Sequence, residues 1–256
     1  MDSRPTKNLS SRRRFLKGAA STAFAAPFVT SGLRANPPSE RLRHASFGAS
    51  GMAASDIGSL ARSDHFELVA VADVDAARAS GIRKRFPKAK FYQDWRELLD
   101  KESKNIDSVN VSTPDHMHGP IGLAAMDLGL HCYGQKPLAQ NLRECRAMAE
   151  MAGSKKVMTQ MGIQISSAFT ERLAVRIVQD GTIGKVTRVH SFSNKKWGDL
   201  GDVPQREDPV PESLDWDLWL GVAKDRPYIA GYYHPGNWRK RRDFGTGTFG
   251  DMGCHI

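Results

Sequence analysis

Between His44 and Met161, short apolar runs alternate with stretches in which apolar residues recur every three to four positions. The short runs read as buried strands and the longer period reads as helix. Strands are predicted at His44–Phe47, Leu68–Ala72, around Phe91, and at Ser108–Ser112, His131–Gly134 and Val157–Met161. Helices are predicted between them at Met52–Arg62, Ala76–Phe86, Trp95–Lys101, after Pro114, and at Asn141–Ala152. Repeated strand–helix alternation implies a parallel sheet with helices on both faces, because each crossover carries the chain back over the sheet. After Met161 the pattern changes to one amphipathic helix, Phe169–Gln179, one strand, Val186–Phe192, and a Pro- and Gly-punctuated stretch to Gly250. A single substantial strand is too little for a second sheet of its own.

The turn after the first strand, Gly48-Ala49-Ser50-Gly51-Met52-Ala53, fits G-x-G-x-x-G/A loosely, with Ser50 at the second glycine position and Gly51 beside it. Small residues there let the backbone approach a pyrophosphate, and the following helix offers N–H groups and the positive end of its dipole. Gly48, Ser50, Gly51 and Met52 are therefore candidate dinucleotide-binding residues. Asp73 ends the second strand, 25 residues after Gly48, where a carboxylate can accept hydrogen bonds from both ribose hydroxyls and repel a 2′-phosphate. NAD is thus expected over NADP. The competing role for Asp73 or Asp75 is to cap the helix predicted from Ala76. Ligands of such sheets sit outside the carboxyl ends of the strands. Thr113-Pro114-Asp115-His116-Met117-His118 and Gln135-Lys136-Pro137 both fall there, after the fourth and fifth strands.

Ser112-Thr113-Pro114-Asp115-His116, Gly134-Gln135-Lys136-Pro137-Leu138 and the run from Gly245-Thr246-Gly247 to Asp251-Met252-Gly253-Cys254-His255 resemble the glucose-fructose oxidoreductase, inositol dehydrogenase and MocA family. The resemblance covers almost everything from residue 41 onward. It implies a Rossmann-type doubly wound parallel sheet over residues 37–162, followed by an α+β domain over 163–256 that is expected to be incomplete. This chain ends one residue after His255, ahead of the later strands that the second domain of that family has. The implied activity is NAD(P)-dependent hydride transfer from a secondary alcohol of a sugar, cyclitol or glycoside. Lys136 would anchor the substrate hydroxyl and His255 would be the general acid/base, with Thr113, Pro114, His118, Gln135 and Lys136 at the cofactor. Asp251, four residues before His255, is expected on the same helix face, to hold the ring or bind another hydroxyl. Gln135 stands where many members have the Glu of an E-K-P motif, which removes a carboxylate neighbour of Lys136. Full-length relatives are expected to be homo-oligomeric. Two further readings remain open: a redox-neutral glycosidase or epimerase with retained NAD, and a non-catalytic cofactor- or sugar-binding fragment.

The formal charge of +9 would suggest nucleic acid, but residues 1–36 hold seven Arg or Lys against one Asp and so carry most of it. The rest carries little, and its one tight cluster, Arg239-Lys240-Arg241-Arg242, reads as a solvated loop. No nucleic-acid partner is expected. No apolar run reaches the ~18 residues of a membrane span. Three cysteines, Cys132, Cys145 and Cys254, form no C-x-x-C, so neither a disulfide framework nor a metal site is supported. Arg12-Arg13-Arg14-Phe15-Leu16-Lys17 before an Ala-rich stretch resembles a twin-arginine export signal, so the export machinery is an expected partner and the periplasm or another exported location the expected address. Cleavage is open between Ala23-Phe24-Ala25 and Leu33-Arg34-Ala35. The Trp and Tyr residues from Trp197 to Trp238 either line a sugar site or pack a long connection.

Overall fold

The structure, a computed structural model, describes residues 41–198 and 201–255; the arginine-rich segment and both candidate cleavage sites lie outside the described residues. Six strands, β1 (Leu42–Phe47), β2 (Phe66–Ala72), β3 (Lys90–Tyr92), β4 (Ser108–Val111), β5 (His131–Gln135) and β6 (Thr159–Gly162), form one sheet in the order β3-β2-β1-β4-β5-β6. Every pairing is parallel. The order reverses between β1 and β4, which opens a crevice outside their carboxyl ends. The helices are α1 (Met52–Leu60), α2 (Ser80–Arg85), α3 (Trp95–Glu102), α4 (His118–Asp127), α5 (Leu142–Lys155), α6 (Phe169–Gln179), α7 (Trp216–Leu220) and α8 (Gly247–Met252).

The sheet is buried on both faces, as parallel sheets are. One face packs Ala45, Phe47, Val109 and Val111 against Leu98 of α3, Ile121 and Met126 of α4 and Met148 of α5. The other packs Leu68 and Val71 against Ile57 of α1 and Ile82 of α2. A register shift in the β1–β2 pairing, His44 to Leu68 and then Ala45 to Ala70, inserts one extra residue in β2 and so brings Leu68 and Val71 to one face. Side-chain caps start two of the crossover helices: Asp94 accepts from Arg96 N at 2.8 Å and Asn141 from Glu144 N at 2.9 Å.

Three expectations from the pattern are corrected. The helix expected at Ala76–Phe86 begins only at Ser80, because Asp75 Oδ1 accepts from Ala77 N and Arg78 N and holds residues 76–79 in turns. The last strand sits slightly further on, at Thr159–Gly162. Val186–Phe192 forms no strand: among the described residues nothing pairs with it, and Val186, Val189 and Phe192 are exposed. A segment favoured for strand by its β-branched residues, but without a ladder partner, cannot satisfy its backbone as sheet.

The later residues return to the first sheet. Asp75 bridges Leu214, Ala76 N donates to Ser213 O at 2.8 Å and Asp215 N donates to Val74 O at 2.9 Å. This places an aromatic core of Trp216, Trp219, Tyr228, Tyr233, Trp238 and Phe244 beside the carboxyl end of β2. The aromatic stretch is thus largely a packed connection. His116 is caught in it, between Phe244 (ring centroids 5.1 Å) and Trp219 (5.9 Å).

Burial pushes the imidazoles of His44 and His116 down to about 4. A histidine with a depressed folded pKa contributes stability above its unfolded value of ~6.5, and that stability is lost as pH falls toward the folded value. Unfolding free energy is therefore expected to drop between about pH 6.5 and 4, by at most about 1.4 kcal/mol per pH unit for each ring. Thermal melts across that range check this; a flat profile would count against both buried neutral rings.

Candidate functional site

One cleft of about 400 Å³ runs along the crevice at the β1–β4 reversal. Its wall contains Gly48, Ser50, Gly51, Met52, Asp73, Thr113, Pro114, His118, Gln135, Lys136 and Asp251, and not His255. The volume lies in the range of small-molecule sites.

The turn end is built by close approach. Gly48 has φ +101°, and a Cβ on it would lie 2.7 Å from the Ser112 carbonyl oxygen and 3.0 Å from Ala53 Cβ. Only glycine lets β1 turn this tightly against the end of β4. Gly51, at φ 57° and ψ −121°, starts α1; no side chain caps this helix, and a Cβ there would meet nothing within 4 Å. Uncapped helix N–H groups facing open cleft space, beside a turn of small residues, fit a dinucleotide pyrophosphate. Arg78 Nε donates to Ser50 Oγ at 3.2 Å, so the serine at the second glycine position is tied to the wall.

Asp73 has two backbone partners. Oδ2 accepts from Ala49 N at 2.8 Å and Oδ1 from Asp75 N at 3.0 Å. It braces the glycine turn against β2, and each oxygen retains a lone pair for a ribose hydroxyl. Burial raises its pKa above the ordinary carboxylate value, against the lowering effect of these two donors. Asp75 does not cap a helix: it accepts from Ala77 N and Arg78 N in the turns of residues 76–79, and α2 starts at Ser80 without a side-chain cap. Asp75 also accepts from His234 Nε2 at 2.9 Å, and these donors outweigh burial to hold its pKa below the ordinary value.

His118 ties two loops together. Nδ1 lies 2.7 Å from Pro137 O and Nε2 2.9 Å from Thr113 O. Carbonyls only accept, so the ring serves here as donor. At the far end Lys136 Nζ lies 2.5 Å from Asp251 Oδ1 and 2.8 Å from Asp251 O, with both side chains 13 % exposed. Arg239 Nε is 3.8 Å from the same Asp251 oxygen, and its guanidinium lies 4.2 Å from the centroid of Trp238.

His255 does not share a helix with Asp251. α8 ends at Met252, where Gly253 follows, and His255 lies in the turn beyond with its N–H on Met252 O at 2.8 Å. Its ring is still near the pair: burial and the charge of Lys136 lower its pKa, against Asp251 and Glu171. Nδ1 is buried without a hydrogen-bond partner among the described residues. The basic tetrad is also corrected, since Arg239 lines the cleft and Arg241 lies 3.8 Å from the Tyr232 ring centroid, so only Arg242 of the four is exposed.

Trp219 and Trp238, left open between lining a sugar site and packing, do both, whereas His234 and Arg239 belong to the wall without having been legible as site residues. His234 is held there by Asp75, 159 positions away, and no local pattern gives a signal for such a contact. Asp56, buried behind Gln135, was missed for a different reason: it reads as an ordinary polar position on an amphipathic helix.

Two family models match. One, described as an oxidoreductase family with an NAD-binding Rossmann fold, covers residues 42–163; the other, its C-terminal alpha/beta domain, covers 172–256. Levoglucosan dehydrogenase of Pseudarthrobacter phenanthrenivorans is 26% identical over 186 residues, 73% of this chain and 40% of that protein. Alpha-N-acetylgalactosaminidase of Shewanella oneidensis is 28% identical over 129 residues, 47% of this chain and 28% of that protein. The crystal structure of myo-inositol 2-dehydrogenase from Lactobacillus plantarum superimposes with TM-score 0.53 at 26% identity, over 57% of this chain and 43% of that one. The chain thus spans less than half the length of these relatives.

Proposed function

Because the chain belongs to the Gfo/Idh/MocA family of NAD(P)-dependent oxidoreductases, we propose that its cleft binds NAD and serves oxidation of a secondary alcohol on a sugar, cyclitol or glycoside. The observation that carries this reading is the single cleft joining an uncapped, glycine-led helix start to the Lys136–Asp251 pair. A dinucleotide pyrophosphate would lie at Gly48 to Met52 and its adenosine ribose at Asp73. The acidic side chain there favours NAD over NADP.

When bound, the nicotinamide supplies an acceptor for the hydride. The protein's part is to hold the alcohol and move its proton. Lys136, oriented by Asp251, donates a hydrogen bond to the substrate oxygen and stabilises developing alkoxide charge. Asp251 and Arg239 offer an acceptor and a donor to neighbouring hydroxyls of a polyol. His255, held neutral by burial and by Lys136, is the acid/base in this reading and takes the hydroxyl proton. Its approach to the substrate requires movement of the turn after α8, since it does not line the cleft.

The test is an absorbance assay at ~340 nm over a panel of sugars, cyclitols and glycosides. Stoichiometric reduction of added NAD+ with one of them is expected. Glycoside cleavage without net reduction, the behaviour suggested by the named galactosaminidase relative, would replace this reading with the redox-neutral one. We further infer export by the twin-arginine route from Arg12-Arg13-Arg14-Phe15-Leu16-Lys17. Arg12→Lys with Arg13→Lys is expected to leave the protein in the cytoplasm on cell fractionation, and unchanged export would remove the assignment.

A further inference from the structure

Behind the cleft wall lies a buried chain of hydrogen bonds that the proposed chemistry does not use. Gln135 Nε2 donates to both oxygens of Asp56, at 3.1 and 2.9 Å, and Gln135 Oε1 accepts from Lys136 N at 3.3 Å. The direction is fixed by chemistry: a carboxylate only accepts, so the amide must turn its NH2 toward Asp56 and its oxygen toward Lys136. Asp56 is oriented in turn by Ser112 Oγ, which donates to it at 2.7 Å and accepts from Asn110 Nδ2 at 2.8 Å. Asn110 Oδ1 is then left to accept from His44 Nε2 at 2.9 Å, while His44 Nδ1 accepts from Ser108 Oγ at 2.8 Å. Every donor on both arms therefore points toward Asp56, and the two arms converge on that one carboxylate. Burial, which lowers the His44 pKa to about 4, keeps the ring neutral with the single N–H this arrangement needs. Gly162 completes the cage: a Cβ there would lie 2.9 Å from Gln135 Nε2 and 2.8 Å from the Tyr133 hydroxyl.

We propose that Asp56 is a positioning residue of the site: its buried carboxylate orients the Gln135 amide and through it the Lys136 backbone, so that residues 56 and 135 form one carboxylate–amide pair carrying a single negative charge. The charge that a Glu at 135 would bring is held instead on α1, one hydrogen bond further from the cleft. A Glu at 135 would then face Asp56 across about 3 Å, and two carboxylates at that separation cannot both ionise. The proposal rests on the NAD reading only for its ligand-binding readout.

The groups facing Asp56 are Ser112 from the end of β4, Gln135 and Tyr133 from β5, and Gln164 after β6. Of these only Tyr133 titrates, and burial, with the charge of Asp56 second, raises its pKa further above neutral. Burial raises the pKa of Asp56 itself, against the lowering effect of its donors Gln135, Ser112 and Gln164, and the wild-type pH profile is therefore the baseline for every variant.

The experiment compares wild type, Gln135→Glu, Asp56→Asn and the double swap Asp56→Asn/Gln135→Glu between pH 5.5 and 8, by calorimetric NAD+ titration and by thermal melts. In Gln135→Glu the shared proton has a raised folded pKa, so its stabilising effect is present at low pH and lost as pH rises. Relative to wild type, its NAD+ Kd is expected to rise about tenfold or more between pH 5.5 and 8, with a falling melting temperature. The double swap, with one carboxylate and one amide again, is expected to recover the wild-type pH profile and to bind within about threefold of wild type, while Asp56→Asn alone binds about tenfold more weakly. A Gln135→Glu profile parallel to wild type, or a double swap no better than the sum of its single changes, would overturn the proposal. Absence of NAD+ binding in the wild-type chain would strike the cofactor reading alone, because the melts still decide the pair. If Gln135→Glu does not fold at any pH, recovery of the double swap over Asp56→Asn decides it.

Discussion

Gly48→Ala is expected to weaken NAD+ binding by about 100-fold or more, equivalent to roughly 2.7 kcal/mol. Two effects act together. At φ +101° an alanine is strained whatever surrounds it, at a cost of about 1–3 kcal/mol. Its Cβ would also sit 2.7 Å from the Ser112 carbonyl oxygen, which is backbone and cannot swing aside. Relief requires the turn to move away from β4, and that carries the start of α1 and the Ala49–Asp73 contact with it. Gly81→Ala in α2 is the control: a Cβ there meets nothing within 4 Å, so binding should be unchanged and stability slightly increased, by about 0.5–1 kcal/mol. Calorimetry on both variants checks this. Equal behaviour of the two would remove the close-approach argument.

Lys136→Ala is expected to lower turnover about 100-fold or more while leaving NAD+ affinity within a few-fold, because Nζ faces Asp251 rather than the glycine turn. It should also destabilise the chain. Removing Lys136 leaves the Asp251 carboxylate with Arg239 at 3.8 Å; because both side chains line the cleft and water can reach them there, the cost is expected to stay below the ~3–5 kcal/mol of a fully buried pair. Lys136→Met with Asp251→Leu should recover much of that stability without recovering turnover. The contrast separates the two roles of the pair. Full turnover in either variant would show that the substrate oxygen is held elsewhere.

How far the sequence carries depends on the range of the interaction. β1, α1 and β2 follow from local periodicity, and the Gly48 turn and Asp73 from residue types whose backbone demands are local. The same reasoning fails at Val186–Phe192, where β-branched residues look like a strand but nothing among the described residues supplies a ladder. It fails again at Arg239, which reads as one charge in a solvated run. Burial against Trp238 and proximity to Asp251 become visible only when the chain from Ser213 to Phe244 is seen to pack back on β2. For Lys136 and Asp251 the residues were singled out by resemblance, yet their mutual contact spans 115 positions and no spacing rule implies it. His255 shows the opposite error: a four-residue spacing suggested a shared helix, and α8 ends at Met252, before reaching it.

Titration of this chain with NAD+ and with NADP+ by calorimetry tests the central claim most directly, since it asks whether the cleft from Gly48 to Lys136 is a dinucleotide site without requiring turnover. The account predicts one-to-one binding of NAD+, about tenfold or more tighter than NADP+, with the preference largely lost in Asp73→Ala. Tighter binding of NADP+ than of NAD+ would contradict the role given to Asp73, and no binding of either nucleotide would contradict the site itself.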